Sequence, residues 1–436
     1  MKKIGLVLLA FILILTSCTS NNMLAIKEVD QEDIEKSEVE SNEFEDKYKY
    51  TETVTKPVKL EITNKPAPLT MLEDRGKLDK IPKYDPNDLN AFAVDFRGYD
   101  LRHLEIGEDR LEDLMTGSFN TATKWPEKLP KGFNPSEIIE IGKNPGLNVR
   151  KLHEQGITGK GIGIAIIDQS LLVDHKEYKD QLRLYEEINC EGDLASMHGA
   201  AVASIAVGKT VGVAPDADLY YVAETHGEFK DQIFEYDFTW LAMSIDRILE
   251  VNKTLPNDRK IRVISISVGW SPDQKGYKET VEAVNRAKEQ GIFIVSSSLE
   301  ETYGFNFNGI GRTWYSNPDD STTYVPGYWW KNRFYNDPGS YFGRRLLVPM
   351  DGITTADPLG SDGYVYYPRG GWSWSIPYIA GLYALACQAE QDITPFEFWE
   401  SALKTGDTVQ IEKDGKEFKL EKIVNPVRLL ELLQQQ

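Results

Sequence analysis

Downstream of Pro145, short apolar runs alternate with segments of helical periodicity. Gly163-Ile164-Ala165-Ile166-Ile167-Asp168 is a β-branched run of the kind that forms a strand buried on both faces. The pattern then predicts a helix over His198–Val207, a strand over Leu219–Ala223 and a helix over Phe238–Val251, whose Leu241, Ile245, Ile248 and Leu249 share one face. Val263–Val268 reads as a strand, Thr280–Gln290 as a helix and Gly291–Ser296 as a strand. Ser375–Gln388 is apolar all round, as a buried helix is, and Phe396–Leu403 is amphipathic. Strands alternating with helices at this spacing imply an α/β fold, a mainly parallel sheet with helices on both faces. Chemistry in such sheets gathers at the carboxyl ends of the strands, and Asp168 stands at one. Residues 61–143 are different, with Pro, Asp and Asn among strand-like pieces such as Ala91-Phe92-Ala93-Val94. They read as an N-terminal extension: a separate module, a pro-segment removed in maturation, or a permanent brace.

Ahead of that region the hydropathy pattern is that of a targeting segment. Lys2 and Lys3 precede an apolar run, Ile4–Leu15, too short for a permanent membrane span. The run ends in Leu15-Thr16-Ser17-Cys18, which resembles the lipobox of bacterial lipoproteins. That resemblance implies a signal peptide over 1–18, lipidation of Cys18, and an extracytoplasmic protein anchored to the cell membrane. Residues 19–60 are polar and acidic. Between Glu28 and Asp46 ten acidic residues face one lysine, a local charge of −9. Such a stretch cannot bury enough apolar surface to offset its ordering entropy, and it reads as a disordered tether.

Composition narrows the classes further. The 436 residues carry a net charge of −19, which argues against a nucleic-acid partner, since phosphate binding needs clustered Lys and Arg. About half of that charge lies between Glu28 and Asp46. Three cysteines exclude a disulfide-dense scaffold. Cys190 and Cys387 are either a pair or two buried thiols.

Of the five histidines, His198 opens a helix of small residues, Gly199-Ala200-Ala201-Val202-Ala203, which lets the helix pack closely while its first turn faces a cleft. A third candidate lies in Gly371-Trp372-Ser373-Trp374-Ser375-Ile376-Pro377-Tyr378-Ile379-Ala380-Gly381, where a serine opens an apolar helix with Pro377 expected in its first turn. Free N–H groups at a helix start can stabilise an oxyanion. An acid at a strand end, then a His and a Ser at two helix starts, is the order Asp…His…Ser of one known triad.

Here the chain resembles the subtilisin-like serine proteases. Asp168 closes its strand as that family's Asp does, and His198-Gly199-Ala200-Ala201-Val202-Ala203 is similar to its His motif. Gly212-Val213-Ala214-Pro215, Ser265-Ile266-Ser267-Val268-Gly269 and Ile423-Val424-Asn425-Pro426 resemble further family segments, and the Ser373 motif matches at Gly371, Ser373, Pro377, Ala380 and Gly381. The resemblance covers residues 144–436. It implies a three-layer subtilisin-like fold, a triad of Asp168, His198 and Ser373, peptide binding along Ser267-Val268-Gly269, a protein or peptide substrate, and a monomer. Calcium is common in the family, but no carboxylate cluster with ligand spacing stands out, so no cofactor or metal is assigned.

The departures from the family pattern bear on activity. Gln169-Ser170 follows the Asp where the family has Ser or Thr and then Gly, Ala201 replaces a second His, and Tyr378 replaces a His. Trp372 and Trp374 flank the serine, where indoles would narrow the cleft or form part of a substrate wall. The sharpest change is Glu300, aligned on the Asn whose side chain donates to the oxyanion. Loss of such a donor costs roughly a hundred- to a thousand-fold in turnover, a figure that itself comes from a subtilisin. Either Glu300 is protonated and donates, or Ser298, Asn306 or Asn308 substitutes, or the loop is shifted. Residues 303–342 hold thirteen of the forty-seven Phe, Trp and Tyr. They read either as an aromatic-rich insertion with its own local core or as the lining of an extended pocket. Two functions are expected to compete: a serine endopeptidase, and a catalytically impaired pseudoprotease that binds peptides or regulates.

Overall fold

The computed structural model describes residues 58–435 except 87, 89, 91, 191, 232, 342 and 343, so Cys18 and the acidic stretch from Glu28 to Asp46 lie outside the described residues. In chain order the strands are β1 (Phe119–Asn120), β2 (Gly163–Asp168), β3 (Leu182–Asn189), β4 (Asp218–Glu224), β5 (Gly227–Lys230), β6 (Ile233–Tyr236), β7 (Ile261–Ile266) and β8 (Phe293–Ser296). They continue with β9 (Asn306–Arg312), β10 (Tyr324–Pro326), β11 (Arg345–Pro349), β12 (Ile353–Ala356), β13 (Tyr364–Tyr367), β14 (Asp407–Lys413) and β15 (Lys416–Ile423).

The β-branched runs form one parallel sheet in the order β3-β4-β2-β7-β8. Alternation along each strand sends its side chains to two separate cores. Ile164 and Ile166 of β2 join Tyr221, Val263 and Val295 beneath the helices Met197–Val207 and Trp372–Ala389. Ala165 and Ile167 face the opposite way, with Ile264 and Ile266, against the helices Thr239–Thr254 and Tyr277–Glu289. This is the expected three-layer α/β arrangement. A second sheet, β10-β9-β11-β15-β14, extends the apolar core beyond the Ser373 helix.

Three local expectations need correction. The Ser373 helix begins at Trp372, three residues before the predicted start, which places Pro377 beyond the first turn. Residues 92–94 form a bend rather than a strand, because Asn90 takes the Phe92 N–H on its side chain and the Ala93 N–H on its carbonyl. The aromatic segment 303–342 does not build a local core. It contains β9, which pairs in parallel with β11, and its Phe305, Ile310, Tyr324, Trp330 and Phe334 belong to the same core as the Ser373 helix.

The extension shares a core with the sheet domain. Val94, Phe96, Leu114, Phe119, Phe133 and Ile138 pack with Tyr364 and Tyr366 of β13. β1 pairs antiparallel with β13, Phe119 opposite Tyr366, and buried Asn120 donates to Asp357 Oδ2 at 2.9 Å. Cys190 and Cys387 are unpaired, and burial pushes both thiols up to about 12.

Phe119 contacts Trp125, Phe133 and Tyr366 with ring centroids 5.4, 5.9 and 5.4 Å away. Phe119→Ala should therefore cost about 3–5 kcal/mol, the usual range for a buried ring. Denaturant unfolding would measure it, and a loss below about 1 kcal/mol would mean that the extension does not fold cooperatively with the sheet domain.

Candidate active site

The carboxyl edge of the parallel sheet carries the first part of the site. Asp168 ends β2, and its Oδ1 accepts from the Gln169 N–H at 2.8 Å and from His198 Nδ1 at 2.6 Å. Both side chains are buried. An ionised carboxylate can only accept, so the proton of this bond sits on Nδ1 and Nε2 is left as the basic nitrogen.

Local sequence explains why His198 arrives there. Ser196 caps its helix, accepting the His198 N–H at 3.0 Å, while the Ser196 hydroxyl donates to Gln169 Oε1 at 2.5 Å. Gln169, unusual at its position, thus ties the turn after Asp168 to the start of the His198 helix. Gly199 is obligatory for that contact: a Cβ there would lie 2.6 Å from the Gln169 carbonyl oxygen and 2.9 Å from that of Ser170.

Ser373 stands in the first turn of its helix, where N–H groups lack a carbonyl four residues back; the Trp374 N–H takes the Gly371 carbonyl at 2.9 Å. Its Oγ donates to the Ser267 carbonyl at 3.3 Å, and Ser267 Oγ donates to the Ser373 carbonyl at 3.1 Å. The second bond has a cause in Pro377. Proline lacks the N–H that would close the turn onto the carbonyl four residues back, which is that of Ser373, and the Ser267 hydroxyl takes its place. The close approach of the His198 and Ser373 helices runs through Gly381, where a Cβ would lie 3.2 Å from the Ala206 carbonyl oxygen.

The segment 267–269 continues past the end of β7. Val268 gives its carbonyl to the Ser297 N–H at 3.1 Å. The Ser267 carbonyl, by contrast, meets Ser373 Oγ.

The two tryptophans differ in burial. Trp374 is buried, 5.4 Å from the His198 ring and 5.5 Å from Tyr367 between centroids, whereas Trp372 is half-buried. Trp374 therefore packs against the imidazole. Tyr378 is buried in the core.

Glu300 is exposed, in the short helix Leu299–Tyr303, and its backbone carbonyl accepts the Gly304 N–H at 2.8 Å. Of the candidate substitutes, Ser298 is engaged elsewhere: its hydroxyl accepts the Trp270 N–H at 2.9 Å and donates to the Trp270 carbonyl at 3.1 Å. Asn306 is half-buried on β9. Asn308 is buried on the same strand, and its amide nitrogen has no partner among the described residues. Among the described residues, no group of three His, Cys, Asp or Glu is placed to hold a metal ion.

Sequence reading missed a second acid–imidazole pair beside the first. Glu224 ends β4, next to β2 in the sheet, and both of its oxygens bond His226, one to Nδ1 and one to the backbone N–H. Both residues are buried, and Phe238 stacks on the imidazole with centroids 6.3 Å apart. Burial alone would lower the His226 pKa, but the charge and hydrogen bond of Glu224, with Asp168 adding, hold it above the ordinary 6.5. The spacing of a strand-ending Glu two residues before a His was the available signal.

Since the imidazolium is held at a higher pKa in the folded chain than in the unfolded one, the pair's stabilisation is complete below about pH 6.5 and is lost as pH rises through the folded value. His153 and His175, lowered by burial, act oppositely on the acid side. The melting temperature should therefore decline above pH 6.5 more steeply in the parent chain than in a Glu224→Gln/His226→Gln double variant. Superimposable profiles would show that the pair contributes nothing.

Residues 159–336 match the subtilase family, peptidase S8. The matched stretch contains Asp168, His198 and the 267–269 segment and ends before Ser373. Minor extracellular protease Epr of Bacillus subtilis (strain 168) is 25% identical over 355 residues, 78% of this chain and 49% of that protein. Subtilisin-like protease PopC of Myxococcus xanthus (strain DK1622) is 21% identical over 334 residues, 72% of this chain and 69% of its own. The major intracellular serine protease of Bacillus subtilis (strain 168) is 28% identical over 184 residues, 38% of this chain and 53% of that protein. The alignments thus span about half the length of two of these relatives. Over residues 159–336, which run from β2 through β10 and include most of the parallel sheet's strands and helices, the chain is thus similar to the subtilase family.

Proposed function

We propose that the protein is a serine endopeptidase, exported and held at the membrane by a lipid on Cys18. The observation that carries the catalytic part is the buried 2.6 Å bond between Asp168 and His198, at the sheet edge where Ser373 is tied to Ser267. Ser373 Oγ attacks the scissile carbonyl while His198 Nε2 takes its proton, and His198 returns that proton to the leaving amine. Asp168 keeps the proton on Nδ1 and balances the charge of the imidazolium. Water then hydrolyses the acyl-enzyme by the same route. The Ser373 N–H, at the positive end of its helix, faces the developing oxyanion. The substrate backbone lies along the edge presented by Ser267 and Gly269, pairing as an added strand.

A peptide-binding module with little turnover is the second reading, and one contact favours it. The single proton of the Ser373 hydroxyl is directed at the Ser267 carbonyl in the resting geometry, at a distance of 3.3 Å. Turnover requires it to be redirected to His198. Glu300, in place of an amide donor, points the same way. The run Ile4–Leu15 and the following Leu15-Thr16-Ser17-Cys18 support export and anchoring, and the acidic stretch supports a tether to the membrane.

A fluorophosphonate probe separates the two readings. Covalent label should appear on the folded parent chain and vanish in Ser373→Ala; a folded parent chain that takes no label is not a serine peptidase. For the anchor, Cys18→Ser should abolish palmitate incorporation and move the protein out of the membrane fraction. Retention of the lipid in that variant would place the modification elsewhere.

A further inference from the structure

Ser373 has to be held to a fraction of an ångström, yet its helix opens without any side-chain cap, at Gly371. The His198 helix has Ser196 for that purpose, and the helix Pro395–Thr405 has a capping box from Thr394 and Glu397. Whatever fixes the start of the Ser373 helix must therefore come from outside it.

The peptide groups of Gly370 are held on both sides. Its N–H donates to Asp351 Oδ1 at 2.8 Å, and its carbonyl accepts from Trp329 Nε1 at 2.7 Å. Gly370 also lies flat on the residue after β11: a Cβ there would be 2.0 Å from the Met350 carbonyl oxygen. No residue other than glycine fits this seat.

Asp351 is built in equally firmly. Its second oxygen accepts the Tyr328 N–H at 2.8 Å, so one carboxylate joins the aromatic segment to the nucleophile loop. Its own N–H reaches the Ile310 carbonyl at 3.2 Å, and Gly311 opposite leaves room for its side chain. Two donors on two oxygens explain why an acid stands here. An asparagine has one acceptor and would set its NH2 against a backbone N–H. The charge is costly to bury. Desolvation pushes the carboxyl up to about 6, against the pull of the two N–H groups and of Lys331 and Arg369. Arg369 is itself fixed, its guanidinium 4.0 Å over the Tyr328 ring and its Nη1 on the carbonyls of Asp88 and Asn90.

We infer that Asp351 and Trp329 are positioning residues for the nucleophile, clamping the Gly370 peptide groups between them and so setting where Ser373 Oγ stands. Neither touches the reacting atoms. The aromatic segment acquires a task by this route, because Tyr328 and Trp329 deliver a backbone N–H and an indole N–H to the same clamp. The inference rests on the serine peptidase reading for its kinetic consequence but not for its structural one.

The test uses the full chain and three variants: Trp329→Phe, which removes one N–H while keeping a ring, Asp351→Asn, and both together. Two measurements are made on each, the rate constant of fluorophosphonate labelling and hydrogen exchange of the peptides covering residues 368–376. Trp329→Phe should slow labelling about tenfold or more, as a small displacement of a reacting group does, with the melting temperature and peptide KM little changed. Asp351→Asn should slow it further, and the double variant should fall short of the product of the two, since both act on one residue, Gly370. In both single variants residues 368–376 should exchange faster while the other core peptides keep the parent pattern. Labelling at the parent rate by folded Trp329→Phe overturns the inference. If the parent chain takes no label, the peptidase reading fails and exchange decides alone: faster exchange confined to 368–376 upholds the clamp, and unchanged exchange refutes it. Should Asp351→Asn not fold, Trp329→Phe carries the same outcomes.

Discussion

Two helices reach the carboxyl edge of a parallel sheet at backbone contact distance, and the rest of the site depends on that approach. It is possible only where a side chain is missing. Gly199 lets the His198 helix sit on the carbonyls of Gln169 and Ser170, and Gly381 lets the Ser373 helix lie against Val213. Both helices are buried almost end to end. Little water reaches them to satisfy a stray polar group, so each unpaired backbone group would be expensive. The Ser196 cap and the Ser267 hydroxyl on the Ser373 carbonyl answer that need, and they also fix the helix starts that carry His198 and Ser373. The hydrogen bonds that satisfy the helix backbones are the same ones that place these two side chains.

Buried charge follows the seams between the parts. Asp168 and Glu224 end adjacent strands, and each bonds an imidazole. Asp351 joins the aromatic segment to the loop that precedes the Ser373 helix, and Asp357, with its carboxyl pushed up to about 6 by burial, joins the extension to the turn after β12 through Asn120. In the extension, Arg97 is buried between Asp95 and the rings of Phe92 and Tyr367. Burying ions is costly unless their geometry is filled with bonds, and breaking one partner away is costlier still. Removing the extension would strip Asn120 from Asp357 and uncover Tyr364 and Tyr366. A row of rings also runs from Phe92 through Tyr367 and Trp374 to His198, so the extension is in packing contact with the imidazole's own neighbours.

Periodicity carried most of the fold. The strand Gly163–Asp168 and the helix after Met197 lie where β-branched runs and small-residue stretches place them, because burial on both faces of a parallel sheet leaves no other composition possible. The order Asp168, His198, Ser373 was likewise legible, since each sits at an element end marked by its neighbours. The start of the Ser373 helix was not. Pro377 argues locally for a first-turn position, and only the Ser267 hydroxyl, more than a hundred residues away, makes a proline tolerable further in. Residues 303–342 misled for a similar reason. Aromatic density shows that a segment is buried, but not against what, and β9 became part of the second sheet through its pairing with β11.

Local pattern thus determined, from the sequence alone, which segments form strands and helices, which faces are apolar, and which three side chains stand at element ends. Tertiary structure alone decided the partners of the polar groups. It left Glu300 exposed on a short helix, turned Ser298 to the backbone of Trp270, set Glu224 and His226 beside Asp168, and brought Asp351 and Trp329 to the two sides of Gly370. Burial and periodicity are written in near neighbours along the chain. A hydrogen bond between residues far apart in sequence depends on atomic positions that exist only once every layer has closed.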